Sequence, residues 1–278
     1  GDNITFVIWA FDGKANSTTV AVTRPFGLTY TESELTPDQK VRVFRKGIKV
    51  LFKTAGEVRT ITNVSQTAGT ITVDTAVDHT DGEEIIRGDS TVLSNEDKED
   101  LGVSAVMKTT GTYLGVNRSL EPNFQANILD LAGEDLTEDA LQAAFDTAEI
   151  NGDGMSSPDM LISEHLARRI YIQLLQTYKR FVSPTKLKGG WSALDYNGVP
   201  WVVDKLCPPQ RLYYLNSADF IWFVMKEIGW LNEDGTVLKW TGKDSWQAVL
   251  ASYAQIACKQ PANQTMLVTI KPTVGRIS

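Results

Sequence analysis

From Ile4 to about Arg87 the apolar positions recur in short runs with a period close to two. Ile4, Phe6 and Ile8 alternate with Thr5, Val7 and Trp9, and Thr18–Val22 follows the Asp12-Gly13 turn. Val41, Val43, Ile48, Val50 and Phe52 flank Lys46-Gly47, a pair suited to a tight hairpin. Val58, Ile61 and Val64 lead to Gly69, then come Ile71 and Val73, and Asp81-Gly82 precedes Ile85-Ile86. Alternate side chains of a strand point to opposite faces, so β-branched runs broken by Gly and Asp predict a small barrel or sandwich. The pattern places it at about residues 27–89, within a β-rich module of residues 1–110 whose other strands pair around it.

The period changes further on. Ser94 to Gly102 is acidic and polar and reads as a connector or a short surface helix with a solvated face. Leu136, Ala140, Leu141, Ala144, Phe145 and Ala148 recur at helical spacing, with Asp135 or Thr137 as N-cap and Asn151 to Gly154 as the stop. Pro158 to Ile162 predicts a short buried strand. Ser163 then caps a helix with Leu166, Ile170, Leu174 and Tyr178 on one face, beside Arg168 and Arg169. Val199–Val203 and Leu212–Leu215 are strand-like, separated by Pro208-Pro209. Trp246–Cys258 alternates over an unusual length, and Met266–Ile270 follows the Gln260-Pro261 corner, which predicts an extended hairpin-like sheet edge. This half is α+β with a mixed or antiparallel sheet.

Composition narrows the function classes. The chain has 278 residues, 42% hydrophobic and 22% charged, with a net charge of −7. That apolar share supports a packed core and argues against disorder. The acidic total disfavours general nucleic-acid or anionic-membrane binding, which clustered Lys and Arg lead. No apolar run approaches the roughly 20 residues that cross a bilayer. The opening, Gly1 to Thr5, lacks the basic start and apolar stretch of a signal peptide. Two cysteines, Cys207 and Cys258, and two histidines, His79 and His165, are too few for a disulfide framework or most zinc and acid–base chemistry.

A search for chemistry returns negatives. There is no Gly-x-Gly-x-x-Gly after a strand, no Walker-type Gly-Lys-Ser/Thr, no Gly-x-Ser-x-Gly elbow and no His-Glu-x-x-His helix. Asn151 to Asp153 starts like a calcium loop but fails, because Met155 and Ser156 stand where an oxygen ligand and a Gly are needed. His165 and His79 read as surface or turn residues, and Cys207 and Cys258 as small apolar packers. No catalytic, cofactor-binding or metal-binding residue is assigned. The aromatics are the positive clue. Trp191, Trp201, Tyr213, Tyr214, Phe220, Trp222, Phe223, Trp230, Trp240 and Trp246 crowd together inside apolar runs. Core or subunit interface is the better reading, and a sugar-stacking platform the alternative.

Residues 111–270 resemble, in order and wording, the major capsid proteins of tailed bacteriophages, the Hong Kong 97 fold. Gly111-Thr-Tyr-Leu-Gly-Val-Asn-Arg-Ser-Leu120 is similar to the Gly-x-Tyr-x-Gly-(Asp/Asn)-Arg-Ser segment of a branch of that family. Leu136–Phe145 followed by Pro158-Asp-Met-Leu-Ile-Ser-Glu-His165 resembles the axial-domain helix, strand and next helix. Leu194, Tyr196-Asn197-Gly198 and Val199-Pro200 are similar to its Leu-x-Tyr-x-Gly-x-Pro turn. Val203-Asp204 and Tyr214-Leu215-Asn216 follow in order, and Trp246–Cys258, Lys259-Gln260-Pro261 and Met266–Ile270 resemble the closing strands of the peripheral domain. Asp81-Gly-Glu-Glu-Ile-Ile-Arg-Gly88 is similar to the ending of a small barrel that such proteins often carry ahead of the axial segment, although Glu83 and Glu84 depart from the simpler pattern.

The resemblance implies an α+β Hong Kong 97-like capsid fold with an N-terminal β-barrel-like insertion module. It implies an axial domain at about 128–225 and peripheral strands at about 240–271, within a core of residues 111–278. It also implies an N-terminal arm, an extended loop and a long spine helix, for which no long helical stretch precedes Leu136; the expectation is an incomplete capsid protein. The implied function is structural and not enzymatic: self-assembly into pentamers and hexamers of an icosahedral virion enclosing double-stranded DNA, assembled in the host cytoplasm. The implied partners are copies of the chain, scaffolding, portal or decoration proteins, and packaged DNA held only non-specifically; no cofactor and no membrane is implied. Arg168, Arg169, Lys179, Arg180, Lys186 and Lys188 are the candidates for subunit ion pairs, setting registry more than strength. A carbohydrate-binding or adhesion module, an encapsulin-like compartment shell and a carboxylate-based glycosidase are the alternatives.

Overall fold

The alternation of the first third closes on itself. The computed structural model describes residues 8–10, 17–24, 35–79, 83–88, 102–152, 157–177, 185–186, 192–230, 238–239, 246–247 and 250–271. Six strands, β1 (Ile8–Ala10), β2 (Ser17–Arg24), β3 (Lys49–Phe52), β4 (Glu57–Ser65), β5 (Thr70–Val77) and β6 (Glu83–Arg87), form a closed barrel in the order β1-β2-β5-β4-β3-β6. All six pairings are antiparallel. Closure removes the open edges that would otherwise invite other strands. Val20, Val50, Phe52, Ile61, Ile71, Val73, Val77 and Ile85 fill the interior, each worth roughly 1.5–3 kcal/mol relative to exposure. The barrel is wider in sequence than the expected 27–89, because β1 and β2 are two of its staves and do not merely pair around it.

One predicted strand is a helix. Val41 was expected to begin a β run leading through Val43 to a Lys46-Gly47 hairpin. Instead Pro37–Val41 forms α1. The Thr36 hydroxyl accepts the Gln39 N–H at 3.3 Å, and the Gln39 side-chain oxygen accepts the Thr36 N–H at 2.9 Å. This capping box, with Pro at the first helical position, outweighs the β preference of two valines. Val41 faces the barrel interior and is fully buried. The hairpins lie elsewhere, at residues 53–56 between β3 and β4 and at residues 66–69 between β4 and β5.

The remaining chain builds a mixed sheet between two buried layers. In chain order its elements are α2 (Val103–Val106), β7 (Thr112–Tyr113), β8 (Val116–Asn117), β9 (Asn127–Asp130), α3 (Glu138–Asn151), β10 (Met160–Ser163), α4 (His165–Thr177), β11 (Thr185–Lys186), β12 (Ser192–Tyr196), β13 (Val199–Val203) and β14 (Leu212–Leu215). These are followed by β15 (Phe220–Trp230), β16 (Leu238–Lys239), β17 (Trp246–Gln247), β18 (Leu250–Cys258) and β19 (Thr265–Val268). The central sheet runs β11-β12-β13-β10-β14-β19-β9, with β10–β13 and β19–β9 parallel and the other pairs antiparallel. The β12–β13 turn is Asn197-Gly198, at φ of 53° and 80°. That left-handed pair is what a tight hairpin needs.

Thr137 caps α3 by accepting the Ala140 N–H at 3.1 Å, and Leu141, Ala144, Phe145 and Ala148 form its buried stripe. On α4 the buried side chains are Ala167, Ile170, Tyr171 and Leu175. That stripe is rotated by about one residue from the expected Leu166–Ile170–Leu174 face, and Tyr178 lies outside the described residues. Ser163 is not the expected cap: it is the last residue of β10, and its hydroxyl accepts the Trp201 indole N–H at 2.7 Å and donates to the Glu164 carbonyl at 2.9 Å. The helices pack on Leu161, Trp201, Leu212, Tyr214 and Leu267. The opposite face of the same strands carries Tyr213, Leu215, Met266 and Val268, covered by Met107, Ala126 and Cys207.

The expected long hairpin between Trp246–Cys258 and Met266–Ile270 does not form. β18 pairs antiparallel with β15, while β19 turns away at the one-turn helix Pro261–Asn263 and enters the sheet between β14 and β9. All four β19 residues are buried, so they have the interior of the sheet as their place and not its edge. No helix among the described residues is long and apolar enough to cross a membrane.

Candidate interaction surface

The Gly111–Ser119 stretch is a clasp built around one arginine. β7 and β8 form a two-residue ladder closed by Leu114-Gly115, at φ of 49° and 85°. Arg118, fully buried, follows that ladder. Its guanidinium donates to main-chain carbonyls: Phe124 at 3.1 Å, Thr110 at 3.2 Å, Val106 at 3.5 Å and also Ala105. Two of these are carbonyls at the end of α2, where the backbone has no helical partner left. The same guanidinium lies over the Tyr113 ring, 4.9 Å from its centroid. Buried charge is tolerable because so many acceptors converge on it. The sequence motif is therefore a structural device, with the aromatic ring and the arginine packed on each other.

The clasp reaches the ribbon made by β15 and β18. The Tyr113 hydroxyl accepts the Cys258 N–H at 2.9 Å, at the ribbon's base. Burial raises the Tyr113 hydroxyl pKa, partly opposed by that hydrogen bond. Around the base, Asp219 accepts from the Asn263 amide at 2.7 Å and the Gln264 amide at 3.0 Å. Gln264 in turn accepts the Asn216 N–H at 2.8 Å, and Asn127 donates to the Ala262 carbonyl at 2.7 Å. The base is thus tied to the sheet by a polar network made largely of amides.

Beyond its base the ribbon is bare. Phe220–Trp230 pairs with Leu250–Cys258 from Phe220↔Cys258 to Trp230↔Leu250, with irregularities between Val224 and Lys226 and between Lys226 and Gly229. Trp222 and Val224 share one face and Phe223 takes the other, up to the irregularity at Met225. Met225 is 91% exposed and Ile228 76% exposed, with Trp222, Phe223, Trp230 and Tyr253 all more than half exposed. A two-stranded ribbon with both faces in water is marginal on its own. Scattered exposed apolar residues are ordinary, but a contiguous set on one element marks an interaction site.

The chemistry-bearing residues lie elsewhere and are muted. Cys207 and Cys258 are free and buried, and burial pushes both thiols up to about 12, Cys207 further raised by the Asp204 and Glu164 charges. Such thiols are not nucleophiles near neutrality. His165 is exposed at the start of α4. His79, expected at a surface turn, is buried, its Nδ1 3.4 Å from the Val77 carbonyl and its ring 6.1 Å from that of Phe52. Among the described residues no group of His, Cys, Asp and Glu is arranged to hold a metal ion.

Of the six candidate ion-pair residues, Arg168 and Arg169 are successive, half-buried residues of α4. The Arg168 Nε is buried without an acceptor among the described residues. Lys186 is on β11, at one edge of the sheet. Lys179, Arg180 and Lys188 lie outside the described residues, as do Trp191 and Trp240. The aromatic cluster divides: Trp201, Tyr213 and Tyr214 are core, whereas Trp222, Phe223 and Trp230 line the ribbon. Sequence reasoning did not single out Met225, Ile228 or Tyr253. The long alternation of Leu250–Cys258 is the available signal, since apolar side chains alternate on a strand whether or not a second sheet covers them.

No known protein family matches the sequence, and no curated protein does. Among solved structures, the chain is similar to the holo-SrpI encapsulin complex from Synechococcus elongatus, at 12% identity and a TM-score of 0.42, over 55% of this chain and 56% of that one. It is similar to the capsid of cyanophage A-1(L), at 17% identity and a TM-score of 0.39, over 60% and 57%. A virus-like particle from Pyrococcus furiosus matches at 18% identity and a TM-score of 0.30, over 51% and 54%. The chain spans a little over half the length of each of these proteins.

Proposed function

We propose that this chain is a structural shell subunit, which associates with copies of itself through the β15–β18 ribbon. The exposed ribbon carries the reading. Its side chains are Trp, Phe, Met, Ile and Tyr, the types that protein interfaces favour because each brings large area at low entropy cost. A sugar platform needs coplanar aromatic faces, whereas Val224, Met225 and Ile228 add apolar area with no stacking face. The order of capsid-like segments from Gly111 to Ile270 supports the same reading.

In finer detail, the subunit belongs to an icosahedral bacteriophage capsid of the Hong Kong 97 type, with pentamers and hexamers closed by symmetry. The barrel is its inserted module, the central-sheet strands and helices within about 128–225 its axial domain, and the ribbon from Phe220 onward part of its peripheral domain. Arg168, Arg169, Lys179, Arg180, Lys186 and Lys188 serve subunit registry in this scheme. Light scattering and electron microscopy of the purified protein test the proposal: closed particles are the expected result, and a monomer at high concentration overturns it. Met225→Glu with Ile228→Glu is expected to abolish association while far-ultraviolet dichroism stays unchanged. Nuclease-resistant double-stranded DNA inside the particles distinguishes a virion from an encapsulin-like compartment.

A further inference from the structure

The barrel and the central sheet have separate hydrophobic interiors. Among the described residues no apolar cluster combines residues of the two: one holds Val20 to Ile85, and the others begin at Val103. Among the described residues, the hydrogen bonds that join them centre on one carboxylate. Glu164, at the junction of β10 and α4, is buried. Its carboxylate accepts from Arg42 Nη1 at 2.8 Å and from Gln39 Nε2 at 3.2 Å to each oxygen. Arg42 Nη1 also donates to the Lys205 carbonyl at 2.9 Å. Beside these bonds lies a cleft of about 600 Å³, lined from the barrel side by Phe44, Arg45 and Gln66 and from the sheet side by His165, Lys205 and Leu206.

We infer that Gln39, Arg42 and Glu164 form a releasable latch, which holds the barrel against the sheet and lets it move as a rigid unit when opened. Gln39 is the informative residue. Its side-chain oxygen closes the α1 capping box and its side-chain nitrogen reaches Glu164, so one amide couples barrel folding to docking. The latch is reversible for a physical reason. A buried carboxylate requires donors, and Arg42 and Gln39 supply them when docked; on undocking, water replaces them on all three groups. Domains joined by polar contacts of this kind move relative to one another. The inference concerns the chain's own two bodies and does not depend on the shell reading.

The test is Gln39→Glu. Glutamate still closes a capping box, so α1 persists, but it offers Glu164 a like charge and no donor. Spin labels at exposed Thr67→Cys on the barrel and Glu149→Cys on α3, diluted with unlabelled protein, report the distance between the two bodies. The distribution is expected to be narrow with Gln39 and at least about twofold broader with Gln39→Glu, while hydrogen exchange of β4 and β5 amides is unchanged. Adding Glu164→Gln restores a donor–acceptor pair and is expected to restore the narrow distribution, the signature of direct coupling. An unchanged distribution in Gln39→Glu overturns the latch, as does equal loss of barrel protection or failure of the double variant to recover.

Discussion

Two stretches of the chain, residues 199–215 and residues 220–230, are alike in aromatic and aliphatic content and opposite in surroundings. Trp201 is 1% exposed, stacked on Tyr171 at 5.0 Å and hydrogen-bonded to Ser163. Trp222, only 21 positions later by number, is 55% exposed. The difference is topological. β13 and β14 have strand neighbours on both sides in the seven-stranded sheet, with packed layers above and below. β15 has one neighbouring strand. A strand's apolar side chains are buried by what its sheet is stacked upon, so the same composition serves as core in one place and as an uncovered surface in the next.

The sharpest way to break this contrast is a pair of tryptophan substitutions. Trp201→Ala removes a packed indole, its stacking partner and a buried hydrogen bond, and is expected to cost about 3–5 kcal/mol in denaturant unfolding. Trp222→Ala is expected to change monomer stability by less than about 0.5 kcal/mol and to reduce association. Equal losses of stability would show that the ribbon is covered within the chain, and the contrast would fail.

A second substitution probes the join between the regions. Gly152, the C-cap of α3, has an extended backbone at φ of −77° and ψ of −160°, which alanine also adopts, so the conformation itself carries no penalty. Its Cβ would instead lie 2.2 Å from the Asn263 side-chain oxygen and 2.7 Å from the Ala148 carbonyl. Asn263 must then move, and it is one of the two amides that donate to Asp219 at the ribbon base. Gly152→Ala is expected to cost about 1–3 kcal/mol, read by thermal unfolding, with faster amide exchange at Lys259, whose N–H is bonded to the Asp219 carbonyl. A neutral Gly152→Ala would mean that the base network is loose.

How much of this was legible beforehand depended on whether the signal was local. The α3 stripe and its Thr137 cap were readable because periodicity and capping act within one or two turns. The Asn197-Gly198 turn was readable for the same reason. The α1 helix runs against the β preference of Val41 and Val43, because its signal is the four-residue start Thr36-Pro37-Asp38-Gln39. The partners of β18 and β19 were misassigned because strand pairing is non-local: adjacency in sequence suggested a hairpin, and a corner at Pro261 sends the two strands to different sheets. The aromatic cluster was seen as a group, but its division between core and ribbon follows from sheet order, which no window of sequence contains. The role of Glu164 was invisible, since its partners stand more than a hundred residues away.

The two cysteines sample the two regions, Cys207 beneath the sheet and Cys258 at the ribbon base. Burial raises both from 9.0 to about 12. The native state therefore keeps its thiol protons more tightly than the unfolded state, so folding stability is intact below about pH 9 and declines as pH rises toward 12. Thiol reagents at pH 9 are expected to label the unfolded protein quickly and the native protein slowly at both sites. Rapid native labelling of Cys258 alone would show that the ribbon base opens while the sheet stays closed.

The smallest expected effect tests how the ribbon is held. Tyr113→Phe keeps the ring beneath Arg118 and removes only the hydroxyl that accepts the Cys258 N–H. The expected cost is about 1 kcal/mol, because a buried N–H loses its acceptor while the packing is retained. Amide exchange should quicken at Cys258 and leave Leu212–Leu215 unaffected, since those strands are secured on both sides. The spread of the effect along β15 and β18 carries the further information. Acceleration confined to Cys258 means that each rung of the ladder holds itself. Acceleration running as far as Val224 and Ala254 means that the ribbon is ordered from its base outward, as expected of an element whose faces are completed by another molecule.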